Sequence, residues 1–93
     1  TTLPLEASET ALAYDTTELS AKAGTVTIDF KNPSAIPHNV VIEDESGDEL
    51  AGFEPLAEGE ESESADLKAG SYTFYCSVPG HRQAGMEGTL TVK

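Results

Sequence analysis

The chain has 93 residues, a hydrophobic fraction of 38% and a formal net charge of −12 at pH 7. This length suits one small domain covering residues 1–93, and the negative charge excludes nucleic acid as a partner, because a polyanion is repelled by such a surface. No apolar run approaches the roughly 20 residues of a membrane-spanning helix, no signal peptide or anchor is evident in these residues, and one cysteine cannot form an internal disulfide.

The first half of the chain predicts short strands separated by turns. "LPLEA" and the stretch from Leu12 to Ala21 offer short apolar alternations. "GTVTIDFKN" alternates more clearly, with Val26, Ile28 and Phe30 on one face and polar residues on the other. A period of two is typical of a strand with one buried face.

Three further strands are predicted by the same alternation, and glycine, proline and asparagine punctuate the runs between them. The segment 50–57 is predicted to hold one short turn of helix. Seven or eight strands in this length favour an all-β, antiparallel Greek-key sandwich. Each of the later strands groups alternate residues on one of its own faces. These residues are His38, Val40 and Ile42 in "HNVVIE", Tyr72, Phe74 and Cys76 in "GSYTFYC", and Leu90 and Val92 in "GTLTVK".

The stretch from Glu43 to Asp66 carries eleven of the seventeen acidic residues and no basic residue. Two interpretations remain open for it. It is either a solvated loop region or a surface on which a basic partner docks.

Four rare residues suggest a metal site. Cys76, His81 and Met86 follow one another at the spacing Cys-x4-His-x4-Met, in a loop rich in proline and glycine that can fold back on itself. A fourth donor should come from a neighbouring strand, and the only other histidine is His38. Each residue alone has an ordinary structural explanation, such as a buried cysteine or a gap-filling methionine. Those explanations do not account for all four falling at compatible places.

This donor set distinguishes between metals. Zinc prefers cysteine and histidine in closed tetrahedra and rarely uses methionine. Two histidines and one cysteine with a weak axial methionine form the blue-copper electron-transfer arrangement. The residues therefore predict one type 1 copper ion held by His38, Cys76, His81 and Met86.

Two segments resemble the cupredoxins, the type 1 blue copper proteins. "PSAIPHNVVIEDES" is similar to the plastocyanin segment around the first copper histidine, and "AGSYTFYCSVPGHRQAGMEGTLTV" is similar to the family's C-terminal ligand loop. The Cys-x4-His-x4-Met spacing is closer to that of auracyanin and rusticyanin. The resemblance implies the same four ligands, an eight-stranded sandwich with copper near one end, and an extracytoplasmic location in the periplasm, at the cell surface or in the thylakoid lumen.

The surroundings of the site also carry expectations. Asn39 is expected to hydrogen-bond to the backbone after Cys76, and the resemblance implies that its own N–H donates to the Cys76 sulfur. Tyr75 is expected at the surface near acidic residues, and Arg82 places a cation beside His81. Electrons are expected to pass at an apolar patch around His81, made of Leu12, Ile36, Pro37, Pro79 and Ala84.

These features predict a monomeric one-electron carrier rather than an enzyme, because no histidine remains for a further copper ion. Its redox partners are expected to be proteins with a basic docking surface, such as a c-type cytochrome or an oxidase. The alternative is the same domain within a larger membrane-bound or oxidase-associated protein. Copper storage fits less well, because storage proteins usually expose several sulfur or imidazole groups. A purely structural sandwich is the last alternative, and it would stay colourless with copper.

Overall fold

The computed structural model describes every residue from Thr1 to Lys93 and contains eight strands and one short helix. No helix is long and apolar enough to cross a membrane. The strands are β1 (Thr2–Glu6), β2 (Glu18–Ala21), β3 (Gly24–Asn32), β4 (Val41–Glu43), β5 (Glu49–Ala51), β6 (Gly59–Leu67), β7 (Gly70–Tyr75) and β8 (Glu87–Val92), and the helix α1 is His81–Ala84.

The strands form two sheets, which confirms the predicted all-β sandwich. The smaller sheet has the order β1-β3-β6, and the larger has the order β2-β8-β7-β4-β5. The expectation of a wholly antiparallel sandwich is wrong, because β1 pairs with β3 and β2 pairs with β8 in parallel. Between the members of each parallel pair the chain visits the other sheet, through β2 for the first pair and through β3 and β6 for the second, so neither pair is joined by a hairpin.

The core lies between the sheets and follows the alternation predicted for β3. Val26, Ile28 and Phe30 are almost completely buried, and they share one hydrophobic cluster with Phe74 of β7 and Leu90 of β8. Because the two sheets contribute facing apolar side chains, each half-buried strand hides one face and leaves its polar face in solvent.

The strand predicted at "HNVVIE" is shorter than expected. β4 begins only at Val41, and His38 forms an isolated bridge with Leu56 before the strand. Val40, Val41 and Ile42 are all buried, so this segment does not alternate between core and solvent. The backbone of His38 exchanges both hydrogen bonds with Leu56, which holds it outside the main ladder.

Two other local predictions are wrong in part. The stretch from Leu12 to Ala21 is a strand only over β2, since the residues before β2 form a loop that turns Tyr14 into the core. The helical turn expected in 50–57 is absent, because β5 pairs with β4 at its start and a loop follows. The only helix is α1, in the loop that follows β7.

The acidic stretch from Glu43 to Asp66 is not simply a loop. It contains β5 and most of β6, which are the end strands of their respective sheets and contact each other. The stretch therefore forms one edge of the sandwich, which is called the acidic edge below. Charged side chains on edge strands also oppose pairing with the edge of another molecule.

Candidate metal centre

Two neighbouring strands bring His38 and Cys76 to the same end of the sandwich. β4 and β7 pair in antiparallel fashion, with Val41 opposite Tyr75. Cys76 directly follows the last residue of β7, and His38 lies three residues before β4 begins. Because antiparallel partners place the start of one strand beside the end of the next, residues 38 and 76 must lie close together.

A tight loop returns the chain to this point. Gly80 and Gly85, which flank α1, have φ angles of 85° and 123°, values that side-chain-bearing residues rarely adopt. The turn lets Met86 N–H donate to His81 O at 3.1 Å, and lets Cys76 N–H donate to Met86 O at 3.1 Å. The loop therefore closes on itself and brings the backbones of its three candidate ligands together.

Three donor atoms converge at the end of the sandwich. The Nδ1 atoms of His38 and His81 are 3.1 Å apart, and Cys76 Sγ lies 4.0 Å from the first and 3.6 Å from the second. The donors of all three residues lie within 4.8 Å of one another. Two imidazole nitrogens and one thiol sulfur directed at a common point are a donor set that suits copper.

The burial of the candidate ligands favours metal binding. His38 and Cys76 have no exposed surface, whereas His81 is partly exposed. Burial, and to a smaller extent the neighbouring His81, lower the pKa of His38. A lowered pKa keeps the imidazole neutral, which is the form that binds metals.

Met86 lies in the same loop as two of the converging donors, Cys76 and His81. Its side chain is fully buried, and its backbone is hydrogen-bonded to both Cys76 and His81. These backbone contacts do not fix where the thioether sulfur lies, so the role of Met86 as a fourth ligand remains a prediction.

The structure confirms the expected bridge from Asn39. Its Oδ1 accepts the backbone N–H of Ser77 at 2.8 Å, and its Nδ2 donates to Ser77 Oγ and to Phe53 O, each at 2.8 Å. The second expectation for Asn39 is wrong, because its backbone N–H makes no hydrogen bond to Cys76 Sγ, whose partners are the two imidazoles.

Tyr14 is a supporting residue that the sequence analysis missed. Its hydroxyl donates to Asn39 O at 2.6 Å, and its ring packs against Phe30 and Phe74. Burial is the main cause that raises the pKa of Tyr14, so the phenol stays protonated and keeps donating. This role of Tyr14 could not be predicted, because its hydrogen-bond partner lies 25 residues away in the sequence and no local pattern links the two.

The apolar residues expected around His81 are at the surface. Ile36 is 44% exposed, and Pro37, Pro79 and Ala84 are also exposed, whereas Leu12 is partly buried. Isolated apolar side chains are common on protein surfaces, but the four exposed ones belong to the two segments that carry the metal donors, whereas Leu12 comes from the loop before β2.

Comparison with known proteins identifies one family that matches the whole chain. Residues 1–93 match the family model described as copper binding proteins of the plastocyanin/azurin family. Plastocyanin from Scenedesmus fuscus is 32% identical, over 99% of this chain and 98% of that protein. The chloroplastic plastocyanin of Pisum sativum is 39% identical over 95% of this chain, which spans 56% of the relative's length.

Solved structures show the same fold. Auracyanin B aligns with a TM-score of 0.90 and 29% identity, over 99% of this chain and 88% of that chain. Dithionite-reduced auracyanin from Roseiflexus castenholzii also gives 0.90 and 29%, over 100% of this chain and 97% of that chain. Both agree with the two-sheet architecture described above.

Proposed function

We propose that this chain binds a single type 1 copper ion through four side chains at one end of the sandwich. The chain belongs to the plastocyanin/azurin family of copper-binding proteins and is a blue copper electron-transfer protein. The observation that carries the proposal is the convergence of two Nδ1 atoms and one Sγ atom within 4.8 Å. The proposed ligands are His38, Cys76, His81 and Met86.

The copper ion, when bound, carries one electron by alternating between Cu(II) and Cu(I). The protein supplies a site that barely has to move. Its ligand segments are joined by Asn39, and three of the four ligand side chains have no exposed surface. Rigid support of this kind keeps the donor positions similar in both oxidation states.

His81 is the ligand best placed for electron exchange with another protein. It is the only one of the four that is partly exposed. Exposed apolar residues such as Ile36 and Pro79 come from the same segments. An apolar surface of limited size lets a partner approach closely and leave again, as a carrier requires.

The acidic edge supports a cationic partner. It extends along β5 and β6, and most of its carboxylates are exposed. The partner in this proposal is a redox protein with a basic docking surface, such as a c-type cytochrome or an oxidase. Opposite charges would accelerate the encounter and make its rate sensitive to salt.

The remaining features of the proposal follow from the donor inventory and from the relatives. Both histidines, the cysteine and the methionine are used in one site, so no donors of these types remain for a second copper ion, and the protein acts as a carrier rather than an enzyme. We further propose that it is a single-domain monomer that works outside the cytoplasm. Three of the similar plastocyanins are named chloroplastic, which supports that location without specifying the compartment.

Copper titration tests the ligand site. Metal-free protein titrated with Cu(II) should saturate at one ion per chain, and the loaded protein should take up one electron reversibly in spectroelectrochemistry. His81→Ala is the informative variant because this side chain is partly exposed and contributes least to the core. It should lose the saturable blue species, and a titration identical to that of the wild type would contradict the proposal.

A further inference from the structure

The helical turn that carries His81 has little structure of its own to hold it in place. α1 has four residues, no side-chain cap and no buried residue. A helix this short is unstable by itself, because it makes too few hydrogen bonds to offset the cost of ordering its backbone. Gln83 and Ala84 are exposed, and the Gln83 side chain makes no hydrogen bond within the protein. The turn's backbone hydrogen bonds run to loop residues such as Val78 and Met86, so the contact that fixes its orientation against the sheets must come from a side chain.

Arg82, the residue directly after His81, supplies that connection. Its Nε donates to Glu87 Oε2, and its Nη2 donates to Glu43 Oε1. The centre of the same guanidinium lies 4.0 Å from the centroid of the Tyr75 ring. One side chain therefore joins α1 to the end of β4, the end of β7 and the start of β8.

The contacts use the particular shape of arginine. A planar guanidinium can donate from two edges to two carboxylates while its face stacks on an aromatic ring. The Arg82 side chain is 35% exposed and that of Glu43 only 14%, so this pair is partly shielded from water. A hydrogen bond to Glu43 is the main cause that raises the pKa of Arg82. Lysine has the charge but cannot reproduce the fork and the stacking together.

We infer that Arg82 is a positioning residue that clamps α1 against the larger sheet and thereby holds His81 Nδ1 opposite Cys76 Sγ. The inference rests on the proposed function, because it gives meaning to the position of His81 as a ligand. The clamp acts through the turn and not on the metal itself. Loss of the clamp should loosen the turn locally and leave the two sheets intact.

Amide hydrogen exchange on the metal-free protein tests the clamp without copper. The N–H groups of Ala84 and Gly85 bond only within the loop, to Gly80 O and Arg82 O. In Arg82→Gln they should exchange at least about threefold faster, whereas the amides of β3 should be unchanged. Arg82→Lys should resemble the glutamine variant, because charge alone does not restore the fork. Unchanged loop exchange in both variants, or an equal increase throughout the protein, would overturn the inference.

Copper release connects the clamp to the site. Transfer of copper to an excess of chelator should be several-fold faster from Arg82→Gln and Arg82→Lys than from the wild type. Tyr75→Phe is the matched control, because it keeps the ring under the guanidinium and should release copper at the wild-type rate. Equal release from all four proteins would overturn the positioning role. Failure of the wild type itself to bind copper would refute the proposed function instead, whatever the loop exchange shows.

Discussion

Asn39 and Ser77 tie together the two chain segments that carry the candidate ligands. Asn39 Oδ1 accepts Ser77 N–H at 2.8 Å, and Asn39 Nδ2 donates to Ser77 Oγ at the same distance. Each residue lies directly after a candidate ligand, His38 in one case and Cys76 in the other. The two ligand positions are therefore fixed relative to each other even without a metal.

Removing this connection should cost stability in the metal-free protein. Asn39→Ala deletes three hydrogen bonds and leaves the Ser77 N–H and the Phe53 carbonyl without their protein partner, so we expect a loss of about 2–4 kcal/mol in the free energy of unfolding. Ser77→Ala removes only one of the bonds and should cost about 1 kcal/mol. Urea unfolding gives both values, and an Asn39→Ala protein as stable as the wild type would disprove the bridge.

The buried carboxyl group of Glu63 makes the folded protein less stable as the pH rises. Its carboxylate is buried opposite Ile28 on β3, and neither oxygen has a hydrogen-bond partner. Burial, with a smaller effect of Glu49, raises the pKa of Glu63 from 4.5 to about 8. The folded protein therefore holds this proton more tightly than the unfolded chain does. The stability that Glu63 contributes is complete below about pH 4.5 and is lost as the pH rises through about 8.

Glu63→Gln should remove this dependence, because glutamine stays neutral at every pH. We expect the variant to be more stable than the wild type at pH 8.5, by on the order of 2 kcal/mol, and to differ little at pH 4.5. Glu61→Gln, exposed on the same strand, is the control and should leave the pH dependence unchanged. Thermal unfolding between pH 4.5 and 9 measures the effect. Parallel pH profiles of the wild type and Glu63→Gln would show that Glu63 is already ionised in the fold.

Met86 should tune the metal site without being required to build it. Met86→Leu conserves side-chain volume in the core, so the fold should tolerate it. Removing a weak axial donor disfavours Cu(II), and we expect a blue protein with a higher reduction potential. Met86→Gln adds an oxygen donor and should lower the potential. Cyclic voltammetry of both variants decides, and a lower potential in Met86→Leu would contradict the axial assignment.

The acidic edge should accelerate electron exchange with a cationic partner. Glu45, Glu54 and Glu60 are exposed and make no side-chain hydrogen bond, whereas Asp44 accepts two backbone N–H groups in its turn and is better left intact. Changing the three glutamates to glutamine should slow the reaction with a basic c-type cytochrome several-fold at low ionic strength. The difference should shrink at about 0.15 M salt, where the Debye length is about 8 Å.

A second triple variant separates docking from net charge. Glu6, Glu9 and Glu18 are exposed outside the acidic edge, and their change to glutamine shifts the net charge equally, from −12 to −9 by the removal of three negative charges. This control should react faster than the acidic-edge variant in stopped-flow measurements. Equal rates for the two would mean that the acids act only through total charge.

The candidate site was readable from the sequence because its donors are rare and three of them lie in one loop. Cys76, His81 and Met86 span eleven positions, and the number of short alternating strands, clearest in β3, indicated the sandwich. The donor types alone predicted copper as the metal. The fold was predictable to the level of two half-buried sheets, since a period of two survives in the longer strands.

Apart from the Asn39 bridge, the contacts that hold the site in place could not be predicted from the sequence. Arg82 and Glu43 meet across 39 residues and Tyr14 and Asn39 across 25, and no local pattern records such contacts. α1 is too short to show a helical period. Glu63 is different, because Ala65 and Leu67 share its face of β6 and their alternation would have predicted its burial.

The most direct test of the central claim is the visible spectrum of the oxidised, copper-loaded protein beside that of Cys76→Ala. Cys76 supplies the only sulfur among the three converging donors, and only a thiolate bound to Cu(II) gives an intense blue band. We expect that band in the wild type, at best a pale site in Cys76→Ser, and no band in Cys76→Ala with its fold intact by circular dichroism. A Cys76→Ala protein that remains blue, or a copper-loaded wild type that stays colourless, would contradict the assignment of this site.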